Sequence, residues 1–154
     1  MSENHDSVKS SVTMQLVGLG GAGSNAIAHL HSCGALSSVS KIALDTDKKA
    51  LDALDVPTKH CMGASLLRGL SSGGSVELGQ KALEADDDAV RALLGSSDFT
   101  CLLVGLGGGT GGGAGPAVAK MLAENGSLLI AFAILPFSFE GAKRQKEAQE
   151  SLAL

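Results

Sequence analysis

The chain has no tryptophan and no tyrosine, and its four aromatic residues are all phenylalanine. A core built from it must be aliphatic, drawn from Leu, Val, Ile and Ala. It also lacks a basic run: twelve Lys and Arg stand against sixteen Asp and Glu, a formal net charge of −4. A nucleic-acid groove normally clusters Lys and Arg with stacking aromatics, so nucleic acid is not an expected partner. Single nucleotides stay open, because main-chain N–H groups hold phosphates without many cations. No apolar run approaches the ~20 residues that span a bilayer, and residues 1–11 carry no signal-peptide pattern. Direct membrane insertion is not expected, and the expected location is the cytoplasm. The three cysteines, Cys33, Cys61 and Cys101, are odd in number and far apart. That pattern fits reduced thiols acting as small hydrophobes rather than a disulfide framework.

What the chain has in excess is glycine, 21 of 154 residues, against a usual share of ~7%. Eight of the eleven residues from Gly105 to Gly115 are glycine. The run follows an apolar stretch, Phe99 to Val104, and leads into Pro116 to Leu122, which reads as a helix. A strand, a glycine loop and a helix together make an anion site. Glycine lets main-chain N–H groups approach a phosphate without a Cβ in the way. The helix start adds unpaired N–H groups and a partial positive charge. A flexible glycine linker is the alternative, but linkers are rarely bracketed by core-grade apolar runs.

The length predicts one domain, able to bury roughly 70% of its unfolded surface. Residues 1–12 are polar and without period, and read as a mobile tail; residues 13–154 read as the domain. Thr13 to Leu19 predicts a strand, Gly18 to Gly23 a turn, and Ser24 to Cys33 a helix. Val39 to Leu44 predicts a second strand, ended by Asp45-Thr46-Asp47, which offers an N-cap for a short helix through Leu54. Thr58 to Met62 suggests a short third strand, and Gly63 to Gly79 a loop. The period of Leu78, Ala82, Ala85, Ala89 and Leu93 predicts one helix over Val76 to Leu94, with Asp86, Asp87 and Asp88 on its solvated side. Phe99 to Val104 is the fourth strand. Leu128 to Ile134, wholly apolar, predicts a fifth strand buried on both faces. A charged helix closes the chain. Alternating strands and helices predict an α/β open parallel sheet with helices on both faces, which binds ligands at the carboxyl ends of its strands. Five strand-end loops rich in Gly, Ser, Thr and Asp would converge on one edge, as a nucleotide pocket.

The first loop alone also fits another nucleotide. Gly18-x-Gly20-x-x-Gly23, with Asp45 at the end of the next strand, matches the dinucleotide fingerprint. A dinucleotide fold does not need the second, richer glycine segment, and no hydride-transfer acid is evident. No Gly-Lys-Ser or Gly-Lys-Thr of a Walker loop occurs. His29 and Cys33 lie four apart on one helix, but two ligands without a third do not make a zinc site.

The second glycine segment carries a family resemblance. Gly107-Gly108-Gly109-Thr110-Gly111-Gly112-Gly113-Ala114-Gly115-Pro116 closely resembles the glycine signature of the tubulin/FtsZ family. Gly20-Gly21-Ala22-Gly23-Ser24-Asn25 is similar to that family's first phosphate loop in its FtsZ branch. Asp45-Thr46-Asp47 resembles its Asn-Thr-Asp, and Pro136 to Arg144 its Pro-Phe-x-Phe-Glu-Gly-x-x-Arg. Gly69-Leu70 and Glu77-Leu78-Gly79 frame what looks like its γ-phosphate loop. The resemblance covers Thr13 to Leu154 and implies a Rossmann-like GTP-binding domain, incomplete at its C-terminus. It implies GTP or GDP as ligand, with Mg²⁺ held chiefly by phosphates and water. It implies a cell-division GTPase that self-associates, or joins an intact FtsZ, through the nucleotide face.

The implied binding residues are Gly20, Gly21, Ala22, Asn25, Gly107, Gly108, Gly109, Thr110, Gly111, Glu140 and Arg144. Thr110 would donate to a phosphate oxygen, cap its helix, or do both. Glu140 and Arg144 are a surface ion pair in the plain reading and ribose contacts in the family reading. Five positions depart from the family pattern: Asp45 for Asn, Gly112 for a hydroxyl residue, Ser71-Ser72 for Gly-Ala or Ala-Gly, and Val76 for Pro. Family members continue past the last helix with a central helix, an acid-bearing catalytic loop and a second domain. The expectation is a chain with the binding face and without the catalytic residues. A nucleotide-free interaction remnant is the third class of reading.

Overall fold

Five strands form one parallel sheet in the computed structural model, which describes residues 11–154. The expected tail, residues 1–12, lies almost wholly outside the described residues. Strand β1 (Met14–Leu19) runs directly into helix α1 (Gly20–Ser32), and β2 (Ser40–Asp45) precedes the short α2 (Lys48–Asp52). Next come β3 (Thr58–Cys61) and the single turn α3 (Ala64–Leu67). Helices α4 (Val76–Ala85) and α5 (Asp87–Leu94) lead back to β4 (Phe99–Gly105). The chain ends with α6 (Gly109–Glu124), β5 (Leu128–Ile134) and α7 (Ala142–Leu152).

The spatial order is β3-β2-β1-β4-β5, with every neighbouring pair parallel. Val17 pairs with Ile42 on one side and Leu102 on the other. The winding direction reverses between β1 and β4, which opens a crevice at their carboxyl ends. Strand pleating sorts the core into two layers. Val17, Leu19, Ile42, Leu44, Leu102 and Val104 pack against Leu83, Val90, Leu94, Val118 and Leu122 of α4, α5 and α6. Leu16 and Ala43 face the other way, toward Ile27 of α1 and Leu51 of α2. The core is aliphatic as expected, with Met62 and Met121 filling it out.

Four expectations need correction. The glycine run is mostly helix rather than loop: α6 begins at Gly109, and Pro116 lies inside it. The glycines serve close packing. A Cβ at Gly111 would collide with the Gly105 carbonyl oxygen, and one at Gly113 with the Val76 carbonyl oxygen. Gly79 of α4 meets the Gly109 carbonyl in the same way, so α4 and α6 touch backbone to backbone. Helix α1 likewise begins at Gly20, four residues before the expected start.

The predicted helix over Val76 to Leu94 is broken at Asp86, whose φ of −120° and ψ of 18° leave the helical region. Asp86 is not on a solvated face. Its Oδ2 accepts from the Gly63 main-chain N–H at 2.9 Å and lies 3.1 Å from His60 Nε2. Those bonds fix the β3–α3 turn and cost α4 its continuation. Finally, β5 is not buried on both faces. It is the edge strand, with Leu128 67% and Phe132 57% exposed. Leu129 packs against the core from one face, while Leu128, Ile130 and Phe132 stand exposed on the other.

Candidate functional site

At the carboxyl ends of the strands lies a cleft of about 380 Å³, within the size range of small-ligand pockets. Four strand ends build it: β1 through Gly20 to Ala22, β2 through Asp45 and Asp47, β4 through Gly105 to Gly111, and β5 through Ile134 to Pro136. The segment Ser71 to Gly74, ahead of α4, forms a further wall. Glu140 and Arg144 stand at the rim beyond β5.

Two long helices point their N-termini into this cleft. The first turns of α1 and α6, at Gly20–Ala22 and Gly109–Gly111, line it. Neither helix has a side-chain N-cap, whereas α2 is capped by Asp47 and α4 by Ser75. The first N–H groups of a helix have no partner within it. Here they are left for a ligand, with the positive ends of two helix dipoles behind them. Gly20 enters α1 at φ 71° and Gly107 turns the chain at φ 80°, conformations that favour glycine.

A buried hydroxyl network ties three walls together. Thr46 Oγ1 lies 2.8 Å from Thr110 Oγ1, and Ser72 Oγ 3.2 Å from the same atom. The Ser72 main-chain N–H donates to Thr46 Oγ1 at 3.0 Å. Thr110 therefore does not cap α6, as one reading expected; its hydroxyl joins β2, the Ser71–Gly74 segment and α6.

Asp45 sits on the floor of the cleft, 5% exposed, with Oδ1 accepting from the Thr46 N–H at 2.7 Å. Burial pushes its carboxyl above the ordinary 3.8, opposed by the Thr46 N–H and the Thr110 hydroxyl. At the rim, Glu140 Oε2 accepts from Arg144 Nη1 at 2.8 Å and Oε1 from the Phe137 N–H at 2.9 Å. Those two donors, the main-chain N–H first, hold Glu140 below its ordinary value. The charged lining is three carboxylates, Asp45, Asp47 and Glu140, against the single guanidinium of Arg144.

The structure thus brings together Gly20, Gly21, Ala22, Gly107, Gly108, Gly109, Thr110, Gly111, Glu140 and Arg144. It does not bring Asn25 to the cleft; that residue is exposed on the second turn of α1. Gly112 does not face it either. A side chain there would meet Ser151 of α7, so the missing hydroxyl at 112 takes no donor from the cleft. Sequence reasoning left Asp45, Asp47, Ser72, Leu106 and Pro136 out of the implied set, though all line the cleft. Their signal was position: each follows a strand end or precedes a helix start facing the same edge. Among the described residues no group of three or more His, Cys, Asp or Glu side chains could hold a metal ion. No described helix is long and apolar enough to cross a membrane.

Comparison with known proteins gives concordant results. Residues 13–154 match the family described as the Tubulin/FtsZ family, GTPase domain. The cell division protein FtsZ of Aquifex aeolicus (strain VF5) is 39% identical over 139 residues, which is 90% of this chain and 38% of that protein. The solved FtsZ dimer of M. jannaschii, in an empty state, superposes with a TM-score of 0.89 at 35% identity, over 95% of this chain and 42% of that one. CetZ2 from Haloferax volcanii, a GTPγS-bound protofilament, gives a TM-score of 0.82 at 31% identity, over 92% of this chain and 45% of that one. The chain spans less than half the length of each.

Proposed function

We propose a function from one premise: this chain belongs to the tubulin/FtsZ family, and its match is to the family's GTPase domain. It binds a guanine nucleotide in the cleft at the carboxyl ends of β1, β2, β4 and β5. The observation that carries this reading is the convergence of two uncapped helix starts, both built of glycine, on one cleft. Main-chain N–H groups of Gly20, Gly21 and Ala22 from one side, and of Gly107 to Gly111 from the other, donate to the phosphates. Thr110 contributes its main-chain N–H, since its single hydroxyl proton already serves Asp45 and the Thr46–Ser72 network. A carboxylate has about four acceptor sites, so Glu140 can accept from ribose hydroxyls while keeping its bonds to Phe137 and Arg144. Mg²⁺ enters as a complex with the nucleotide, held chiefly by phosphate oxygens and water, because the described side chains offer no cage for it.

The second glycine segment faces the same cleft as the first, which favours a guanine nucleotide over the dinucleotide reading of Gly18 to Gly23. Hydrolysis is a separate matter. Each of the three carboxylates lining the cleft already has a structural partner: Glu140 is paired with Arg144 and bonded to the Phe137 N–H, Asp45 accepts from the Thr46 N–H, and Asp47 caps α2 through the Ala50 N–H. Alone, this chain holds the nucleotide and turns it over negligibly. A relative stacked on the nucleotide face would supply the catalytic acids across the contact.

Competition binding tests the reading. Labelled GTP bound to the purified chain should be displaced by GDP and by GTP, but not by equal concentrations of NADH or ATP. Displacement by NADH would return the site to the dinucleotide class. A folded chain that binds no nucleotide would make it an interaction remnant. Brisk GTP turnover by the chain alone would refute the proposed division between binding and catalysis.

A further inference from the structure

Asp45 is out of place in a phosphate cleft. It is 5% exposed, it lines the floor, and no cation is among the groups that act on it. Its Oδ1 accepts from the Thr46 main-chain N–H at 2.7 Å, which holds the carboxyl against the cleft. The ionisable groups around it add no positive charge. Asp47 follows it on the same segment and raises it further. Cys61 of β3 is neutral, its thiol pushed up by burial. Gly21 of α1 and Thr110 of α6 bring no charge, and Lys48 of α2 is paired with Asp52 at 3.0 Å. Across the cleft, Arg144 is already bound to Glu140.

We propose that Asp45 makes nucleotide binding proton-coupled: a phosphorylated ligand enters the cleft with one proton taken up at this carboxyl. The inference rests on the nucleotide reading above and concerns the same cleft. A phosphate group brought to the starts of α1 and α6 lies beside Asp45; the amides and helix dipoles there compensate the phosphate but not the carboxylate, and a second negative charge next to a buried carboxyl disfavours its ionised form. The cheaper neutralisation is at the carboxyl that burial has already destabilised. The coupling has a definite sign. The bound state holds more protons than the free state, so affinity rises as pH falls. It also ranks ligands: the more phosphate charge set beside Asp45, the larger the dependence, while an uncharged nucleoside shows none.

The test compares the parent chain with Asp45→Asn, which keeps an oxygen to accept from Thr46 and cannot ionise. Circular dichroism and thermal melting establish that the variant is folded. Calorimetric titration with GDP between pH 5 and pH 8.5, with EDTA and again with Mg²⁺, gives the two affinity profiles. GDP's own titration is common to both and cancels in the ratio. At pH 8 the variant should bind GDP about tenfold or more tightly than the parent, and the gap should close toward pH 5 by up to about tenfold per pH unit, the limit for one proton. Titrating the parent alone in two buffers of different ionisation enthalpy should show proton uptake approaching one. Equal affinities and equal pH slopes, with no proton uptake, overturn the coupling while leaving nucleotide binding intact. A Mg²⁺ requirement that the variant abolishes, without a difference in slope, assigns the neutralisation to the cation and equally overturns it. No GDP binding by either folded protein overturns the nucleotide reading, and the coupling with it.

Discussion

Thr110 joins three parts of the fold through one hydroxyl. Its Oγ1 meets Thr46 at the end of β2 and Ser72 ahead of α4, all three residues being buried. Thr110→Val keeps the shape and deletes the shared partner. Urea unfolding should show a loss of about 1–2 kcal/mol, the cost of leaving buried hydroxyls short of a partner; no loss would mean that they re-pair freely. Asp45 acts in the opposite sense. Its folded-state pKa is raised above 3.8 by burial, so the folded state binds protons more readily than the unfolded one. Its contribution to stability therefore declines as pH rises from the unfolded value through the raised folded one. Denaturation across pH 4 to 8 should show that decline in the parent, and Asp45→Asn should flatten it and be the more stable protein at pH 7. A parent profile that rises through this window at Asp45's expense would contradict the assignment. None of this could be read from the sequence. Asp45 was visible there as an acid where the family has Asn, but its burial depends on residues distant in the chain, Thr110 and Cys61 among them.

At the scale of elements, α6 is the instructive case. Glycine disfavours a helix interior by ~1 kcal/mol relative to alanine, and a run of glycines reads locally as loop. Packing against α4 and β4 overrides that preference, because only a helix without Cβ atoms can lie on the Val76 and Gly105 carbonyls. Gly113→Ala separates the two effects. Propensity alone would stabilise the protein, whereas collision with a main-chain carbonyl should destabilise it by about 1–3 kcal/mol, as overpacking does. A stabilised variant in a denaturant titration would mean that the α4–α6 contact is looser than described. The break at Asp86 was illegible for a related reason. Its partners, Gly63 and His60, are 23 and 26 residues away, while the local pattern of Leu78, Ala82, Ala89 and Leu93 runs straight through it. Strand β5 misled differently. A wholly apolar run signals burial in a parallel sheet, but burial takes a neighbour, and the run itself does not say where that neighbour comes from.

At the scale of the whole molecule, the sequence carried the architecture well. The strands expected at 13–19, 39–44, 99–104 and 128–134 formed within one residue of those bounds, and their turn-rich ends met at one edge because a parallel sheet puts every carboxyl end on the same side. Ten of the eleven implied binding residues line one cleft, although the motifs that suggested them are spread from Gly20 to Arg144. Asn25 is the exception: its place in a motif fixes its distance along α1 but not whether it faces the ligand. The account's central claim is that main-chain amides at the starts of α1 and α6 hold the phosphates of a guanine nucleotide. The most direct measurement is a ¹⁵N–¹H correlation spectrum of the chain titrated with GDP. The amides of Gly20, Gly21, Ala22 and Gly107 to Gly111 should show the largest shifts and saturate together, with guanosine alone moving them far less. Shifts that cluster elsewhere, or that guanosine reproduces in full, would contradict it.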